Sequence, residues 1–243
     1  MRVVLVTGGT RGISRAIAQA FAAQGDTVVV CARKPIEGLY MPFLAADVRD
    51  PAQAQGVVSQ VVARFGRLDV LVNNAGGSPP ADSSTASPRF SEAILRLNLL
   101  APLVLSQAAN QHMQSGAGGV IVNVCSVSGT RASPNTAAYG AAKAGLLNLT
   151  RTFAQEWAPK VRVVAVTPGL VATPEAAEHY PDVDAAAATV PMGRLGTPAD
   201  VAAACVWLAS DAASYITGAS LVLDGGGDRP AFLAALPLRK EPS

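Results

Sequence analysis

The sequence predicts an α/β protein: one parallel β-sheet with helices packed on both faces. Half of its 243 residues are hydrophobic and only 15% are charged, which suits a large buried core and argues against a disordered chain. Aromatic residues make up 5%, so that core must be built from Val, Leu, Ile and Ala, the residues of a sheet buried on both sides. Strand-length apolar runs also alternate with longer helical patterns, the mark of βαβ units.

Residues 3–7 form the first expected strand, and a helix over 12–24 follows, closed by Gly25. Strands are expected at 27–32 and 43–46. The connection between them is too short for a crossover helix and should be a loop or at most one turn. Asp50-Pro51 opens the next helix, with Asp as N-cap and Pro at the first helical position, and it stops near Gly66. A fourth strand spans 69–73. After a polar, Ser/Pro-rich surface loop at 76–87, Ser87-Pro88 starts a long helical stretch to about Met113, disturbed near Pro102. Strand 120–125, helix 137–157 and strand 161–166 follow. Thr197-Pro198 caps a further helix, and 219–223 is the last strand.

Composition narrows the function. The net charge is +2, and no run of Lys or Arg could neutralise a track of phosphates, so nucleic acid is not an expected partner. No apolar stretch approaches the ~20 residues that span a bilayer, and the N-terminus lacks the features of a signal peptide. A cytoplasmic protein is expected. Cys31, Cys125 and Cys205 are scattered in apolar runs and read as small buried hydrophobes. With His112 and His179 as the only histidines and no Cys-x-x-Cys, no metal site is expected.

Chemistry concentrates in three places. The first strand runs into Thr7-Gly8-Gly9-Thr10-Arg11-Gly12-Ile13 and then a helix. Such a turn lets backbone approach a pyrophosphate, and the helix N-terminus offers free N–H groups; the same pattern also makes a tight strand–helix connection. The second strand ends Cys31-Ala32-Arg33-Lys34, without the acidic residue that would bind the adenosine ribose of NAD. Arg33 and Arg11 either face a 2′-phosphate, which favours NADP, or are solvated surface arginines. Tyr139 and Lys143, four residues apart, share one helix face. A cation beside a phenol stabilises the phenolate, and such a tyrosine can protonate a carbonyl oxygen or deprotonate an alcohol. Alone, a Tyr–Lys pair at this spacing is usually a surface coincidence.

The pair has company. Asp47-Val48, Asn73-Asn74-Ala75-Gly76, Asn98, Ser126 thirteen residues before Tyr139, and Pro168-Gly169 with Thr173 follow the glycine turn in order. On these motifs the chain resembles the short-chain dehydrogenase/reductase family in its single-domain form, most closely the 3-oxoacyl-(acyl-carrier-protein) reductases, over residues 2–226. The resemblance implies a Rossmann fold with seven parallel strands in the order 3-2-1-4-5-6-7, a domain over 1–226 and a tail over 227–243.

It also implies roles. Tyr139 would be the general acid, Ser126 would hold the substrate oxygen, Lys143 would bind the nicotinamide ribose, and Asn98 would hold helix geometry and a proton-relaying water. Gly8, Thr10, Arg11, Gly12, Ile13 and Arg33 would bind the phosphate and ribose part of the cofactor. Asp47 and Val48 would flank the adenine, and Asn74, Ala75 and Gly76 would pack along the adenosine ribose. Pro168, Gly169, Val171 and Thr173 would line the nicotinamide carboxamide. The expected reaction is reduction of a ketone or 3-oxoacyl carbonyl with NADP(H), NAD(H) being possible. An NAD-dependent alcohol dehydrogenase and a non-catalytic cofactor-binding sensor are the alternatives. Many such proteins are tetramers joined through helices around 88–113 and 137–157 and the last strand.

Two positions depart from the pattern. Ser14 stands where a third glycine is usual, and its Cβ is expected to narrow the gap between helix and strand or cofactor. Val164 stands where Asn is common. The substrate pocket is expected from 77–87, 127–133 and 172–191, with Arg131 in reach of a charged substrate and the tail around Phe232–Leu236 folding over a site.

Overall fold

The computed structural model describes residues 1–174 and 182–227. Its strands are β1 (Val3–Thr7), β2 (Thr27–Ala32), β3 (Phe43–Ala45), β4 (Val70–Asn73), β5 (Gly119–Val124), β6 (Val161–Pro168) and β7 (Ser220–Leu223). All pair in parallel, in the order β3-β2-β1-β4-β5-β6-β7, as the resemblance implied. Register is set by burial on both faces, because a one-residue slip would exchange every inward side chain. Leu5 and Val29 face one apolar cluster while Val4, Val6, Val28 and Val30 face the other.

The helices supply the two outer layers. On one side α2 (Pro51–Phe65), α4 (Ala101–Ser115) and α5 (Ala137–Trp157) contribute Val57, Leu105, Met113 and Phe153. On the other, α1 (Gly12–Ala23) and α7 (Pro198–Leu208) contribute Ile17, Phe21, Cys205 and Leu208. The local signals work as expected: Asp50 accepts from the Ala52 and Gln53 N–H groups at the start of α2, and Gly66 closes it with φ 74°. Thr197 and Asp200 cap α7 reciprocally. The β2–β3 connection holds no helix.

The long stretch after Ser87 is α3 (Pro88–Leu95), a π-helical turn over Arg96–Leu100, and α4. Its disturbance comes from Pro102, which has no N–H to give the Asn98 carbonyl; Ala101 N–H reaches back five residues to the Arg96 carbonyl instead. The short helix α6 (Val183–Thr189), capped by Asp182, was not expected within the 172–191 segment. It carries no apolar stripe pronounced enough to see in sequence. The tail around Phe232–Leu236, and His179, lie outside the described residues.

A buried polar row ties the sheet to its helices. Asn73 Nδ2 donates to Ser106 Oγ on α4 (3.0 Å) and to Asn123 Oδ1 on β5 (2.9 Å), and Asn123 Nδ2 donates to Thr150 Oγ1 on α5 (2.9 Å). α4 and α5 are thereby located on the strands whose ends carry the site.

The three cysteines are free and buried, as expected. Burial pushes the Cys31 thiol up to about 12 and Cys205 to about 12; burial also raises Cys125, to about 11, against the pull of nearby Lys143. The native protein should therefore consume no thiol reagent at pH 8 and react fully once denatured. Because an unfolded thiol ionises near ~8.5, thermal stability should fall as pH rises above that value toward the folded-state values. Prompt reaction of any thiol in the native protein at pH 8 would refute this.

Candidate active site

The catalytic candidates gather where strands β4 and β5 end. Tyr139 and Lys143 lie one turn apart on α5, with Lys143 Nζ 5.5 Å from the centre of the Tyr139 ring. Lys143 is 4% exposed and its ammonium donates to the Val124 carbonyl (2.8 Å) at the end of β5. Two residues on, Ser126 leaves the strand and caps a 3₁₀ turn (Val127–Gly129), its Oγ accepting from Ser128 N–H (3.2 Å).

Asn98 reaches the same place from the π turn. It is fully buried; its Oδ1 accepts from Gly77 N–H (2.9 Å), and its Nδ2 donates to the Gly77 and Ile94 carbonyls (both 3.0 Å). Gly76 fits between these groups only because it has no side chain. A Cβ there would lie 2.6 Å from Asn98 Oδ1 and 3.5 Å from Lys143 Nζ. The structure thus brings Asn98, Lys143, Tyr139 and Gly76 together across three elements.

The glycine turn lies at the next strand end. Gly8 N–H bonds the Cys31 carbonyl (2.7 Å), and Thr10 N–H turns back onto Gly8 (2.7 Å). Helix α1 then starts at Gly12 with no side-chain cap and no acidic residue in its first turn, so the N–H groups of Gly12 and Ile13 keep their capacity for an anion. Thr7 joins this turn to β4: its hydroxyl donates to the Val72 carbonyl (3.3 Å) and accepts from the N–H groups of Asn74 and Ala75 (both 3.1 Å). These features fit a dinucleotide phosphate at the start of α1. Thr7 was not singled out for that task, because a strand-end threonine carries no distinctive signal.

At the β2 and β3 ends, Arg33 is exposed and its charge reaches Asp47. Asp47 is held in a two-pronged pair with Arg49 (2.5 Å at the closest), and these hydrogen bonds hold its carboxyl below the usual range. Arg49 was missed because an Asp-x-Arg spacing in a loop has no fixed geometry until the turn forms. Val48 beside it is buried. Pro168 ends β6, Gly169 N–H bonds the Leu223 carbonyl (2.8 Å), and Val171 bridges to Gly196, with Thr173 N–H on the Val171 carbonyl (3.0 Å).

The loops expected to shape the pocket line two cavities. Ser78, Ala81 and Ala86 enclose a narrow cavity of about 60 Å³ with Asn135 and Thr136, held by an Ala81 N–H to Asn135 carbonyl bond (2.8 Å). The segment around Arg131, however, lines an open groove of about 450 Å³ with Ala137, Gly140, Ala141 and Ala144. That is a different face of α5 from the one carrying Tyr139 and Lys143. Ser14, expected to narrow the gap at α1, is buried, and its hydroxyl accepts a bond from the Asn74 side-chain amide. Val164 is a fully buried core residue. Among the described residues no group of His, Cys, Asp or Glu could hold a metal, and no helix is long and apolar enough to cross a membrane.

Comparison with known proteins agrees with this geometry. A family profile described as enoyl-(acyl carrier protein) reductase matches residues 8–228. An uncharacterized short-chain type dehydrogenase/reductase, y4vI of Sinorhizobium fredii, is 42% identical over 93% of the chain, which spans 43% of that relative's length. The 3-oxoacyl-[acyl-carrier-protein] reductase FabG of Thermotoga maritima is 36% identical, covering 93% of this chain and 97% of its own. Among solved structures, the ligand-free aldohexose dehydrogenase of Thermoplasma acidophilum superposes with a TM-score of 0.90 at 30% identity, over 100% of this chain and 97% of its own. The chain belongs to the short-chain dehydrogenase/reductase family, oxidoreductases that act on CH–OH groups with NAD(P).

Proposed function

We propose that the protein reduces a ketone or 3-oxoacyl carbonyl to a secondary alcohol with NADP(H), Tyr139 acting as general acid. The observation that carries this reading is the buried Lys143 ammonium 5.5 Å from the Tyr139 ring, with Asn98 across Gly76 from it. When bound, the nicotinamide supplies the hydride. As charge builds on the substrate oxygen, Tyr139 gives it the phenolic proton. Ser126 Oγ already accepts from Ser128 N–H, which leaves its own proton to be donated to that oxygen. Lys143 holds the ribose and stabilises the tyrosinate, and a water on the Asn98 carbonyl, whose α-helical donor position is Pro102, returns the proton from solvent.

NADP(H) is preferred on charge. β2 ends without a carboxylate, Arg33 is exposed there, and Asp47 is neutralised by Arg49, so this corner favours a 2′-phosphate. The same residues would serve alcohol oxidation, and the relatives are named for both directions, a reductase and a dehydrogenase. Tetramer assembly through α3 to α5 and β7 is supported by half-exposed Leu100 and Val222. A cytoplasmic location is part of the same proposal.

The test mixes the protein with NADPH and a panel of β-ketoacyl thioesters, ketones and quinones, and titrates NADPH and NADH by fluorescence. Turnover of a carbonyl and tighter NADPH binding are expected. Arg33→Ala should weaken NADPH about tenfold and leave NADH nearly unaffected. A wild-type preference for NADH would overturn the role of Arg33, and binding without turnover of any carbonyl would overturn the reaction.

A further inference from the structure

Three chain segments meet at Ser14. It sits in the first turn of α1 at 5% exposure, and the Asn74 carboxamide donates to its hydroxyl from the end of β4. The third segment is the glycine turn. A Cβ added to Gly8 would lie 3.2 Å from Ser14 Oγ and 3.1 Å from Ala75 Cα, so no side chain separates the turn from either neighbour. The backbone of the same corner is already pinned, because Thr7 Oγ1 receives the N–H groups of both Asn74 and Ala75. What Thr7 leaves undetermined is the direction of the Asn74 side chain.

A carboxamide has one donor end and one acceptor end, and Ser14 engages the donor end. Its Oδ1 is then the end left for a donor such as a sugar hydroxyl. A glycine at position 14 would offer no such partner, and the amide could rotate or turn over.

We propose that Ser14 is a positioning residue for the cofactor: its hydroxyl orients the Asn74 carboxamide so that the adenosine ribose meets a preformed acceptor. This rests on the proposed packing of Asn74 along that ribose. The benefit is in preorganisation, since an amide already held loses no freedom on binding.

A double-mutant cycle read in binding tests it. The dissociation constants of NADPH and of adenosine 2′,5′-bisphosphate are measured, without substrate, for wild type, Ser14→Ala, Asn74→Ala and the double variant. Ser14→Gly is a second route to the same loss should Ser14→Ala fold poorly, and melting curves of the cofactor-free variants report folding. Ser14→Ala is expected to weaken both ligands roughly five- to tenfold, with the double variant no weaker than Asn74→Ala alone. A purely structural serine would lower the melting temperature without that coupling. Unchanged affinity in Ser14→Ala and Ser14→Gly, or multiplicative losses in the double variant, would overturn the proposal. If Asn74→Ala itself binds as wild type, the assignment of Asn74 to the ribose fails, and the role of Ser14 fails with it.

Discussion

Replacing Tyr139 with phenylalanine is expected to lower kcat/KM by about 10²–10⁴-fold, the usual worth of a positioned proton donor, while NADPH still binds. The substitution removes only the phenolic oxygen. The ring is kept, and its contact with the Lys143 ammonium at 5.5 Å survives. Loss therefore isolates proton transfer from positioning. Steady-state rates with the carbonyl found in the panel, together with NADPH titration, decide it. Activity within a few-fold of wild type would remove Tyr139 from the reaction.

Asn98→Ala should have the largest structural effect of any single change at the site. The side chain is fully buried and makes three hydrogen bonds, two to Gly77 and one to the Ile94 carbonyl. Truncation removes all three bonds, one of them buried at the Ile94 carbonyl, and leaves a cavity in place of a fully buried side chain, at a cost of about 1–3 kcal/mol. For a chain of this size that is a drop in Tm of roughly 2–10 °C. The loop after Gly77 loses its attachment to the helix, so proteolysis there should quicken and activity should fall as well. Melting curves and limited proteolysis read both effects. An unchanged Tm would show that Asn98 is not the fastening described.

These two residues differ in how they could be found. Tyr139 and Lys143 are visible because helical spacing alone puts them on one face. Asn98 could be named only through family resemblance. Its partner, Gly77, is twenty-one residues away, and Asn98 meets it from within the π turn ahead of Pro102. The partners of Ser14 and Asp47 were equally hidden. Asn74 is sixty residues from Ser14, and Arg49 joins Asp47 only once the turn has formed. Cavity shape is equally non-local: residues 128–133 follow Ser126 directly and line a groove with Ala137, Gly140, Ala141 and Ala144 of α5.

By itself the sequence determined the fold class and put forward the candidate residues of the site. Alternating apolar runs specify strands buried on both faces, and caps such as Asp50 and Thr197 place helix starts by local hydrogen bonding. Tertiary structure decided which distant groups share a corner: Lys143 with the Val124 carbonyl, Asn98 with Gly77, and Ser14 with Asn74. The physical reason is range. Periodicity and capping act over a few residues, whereas these contacts exist only after parallel pairing aligns the ends of β1, β4 and β5.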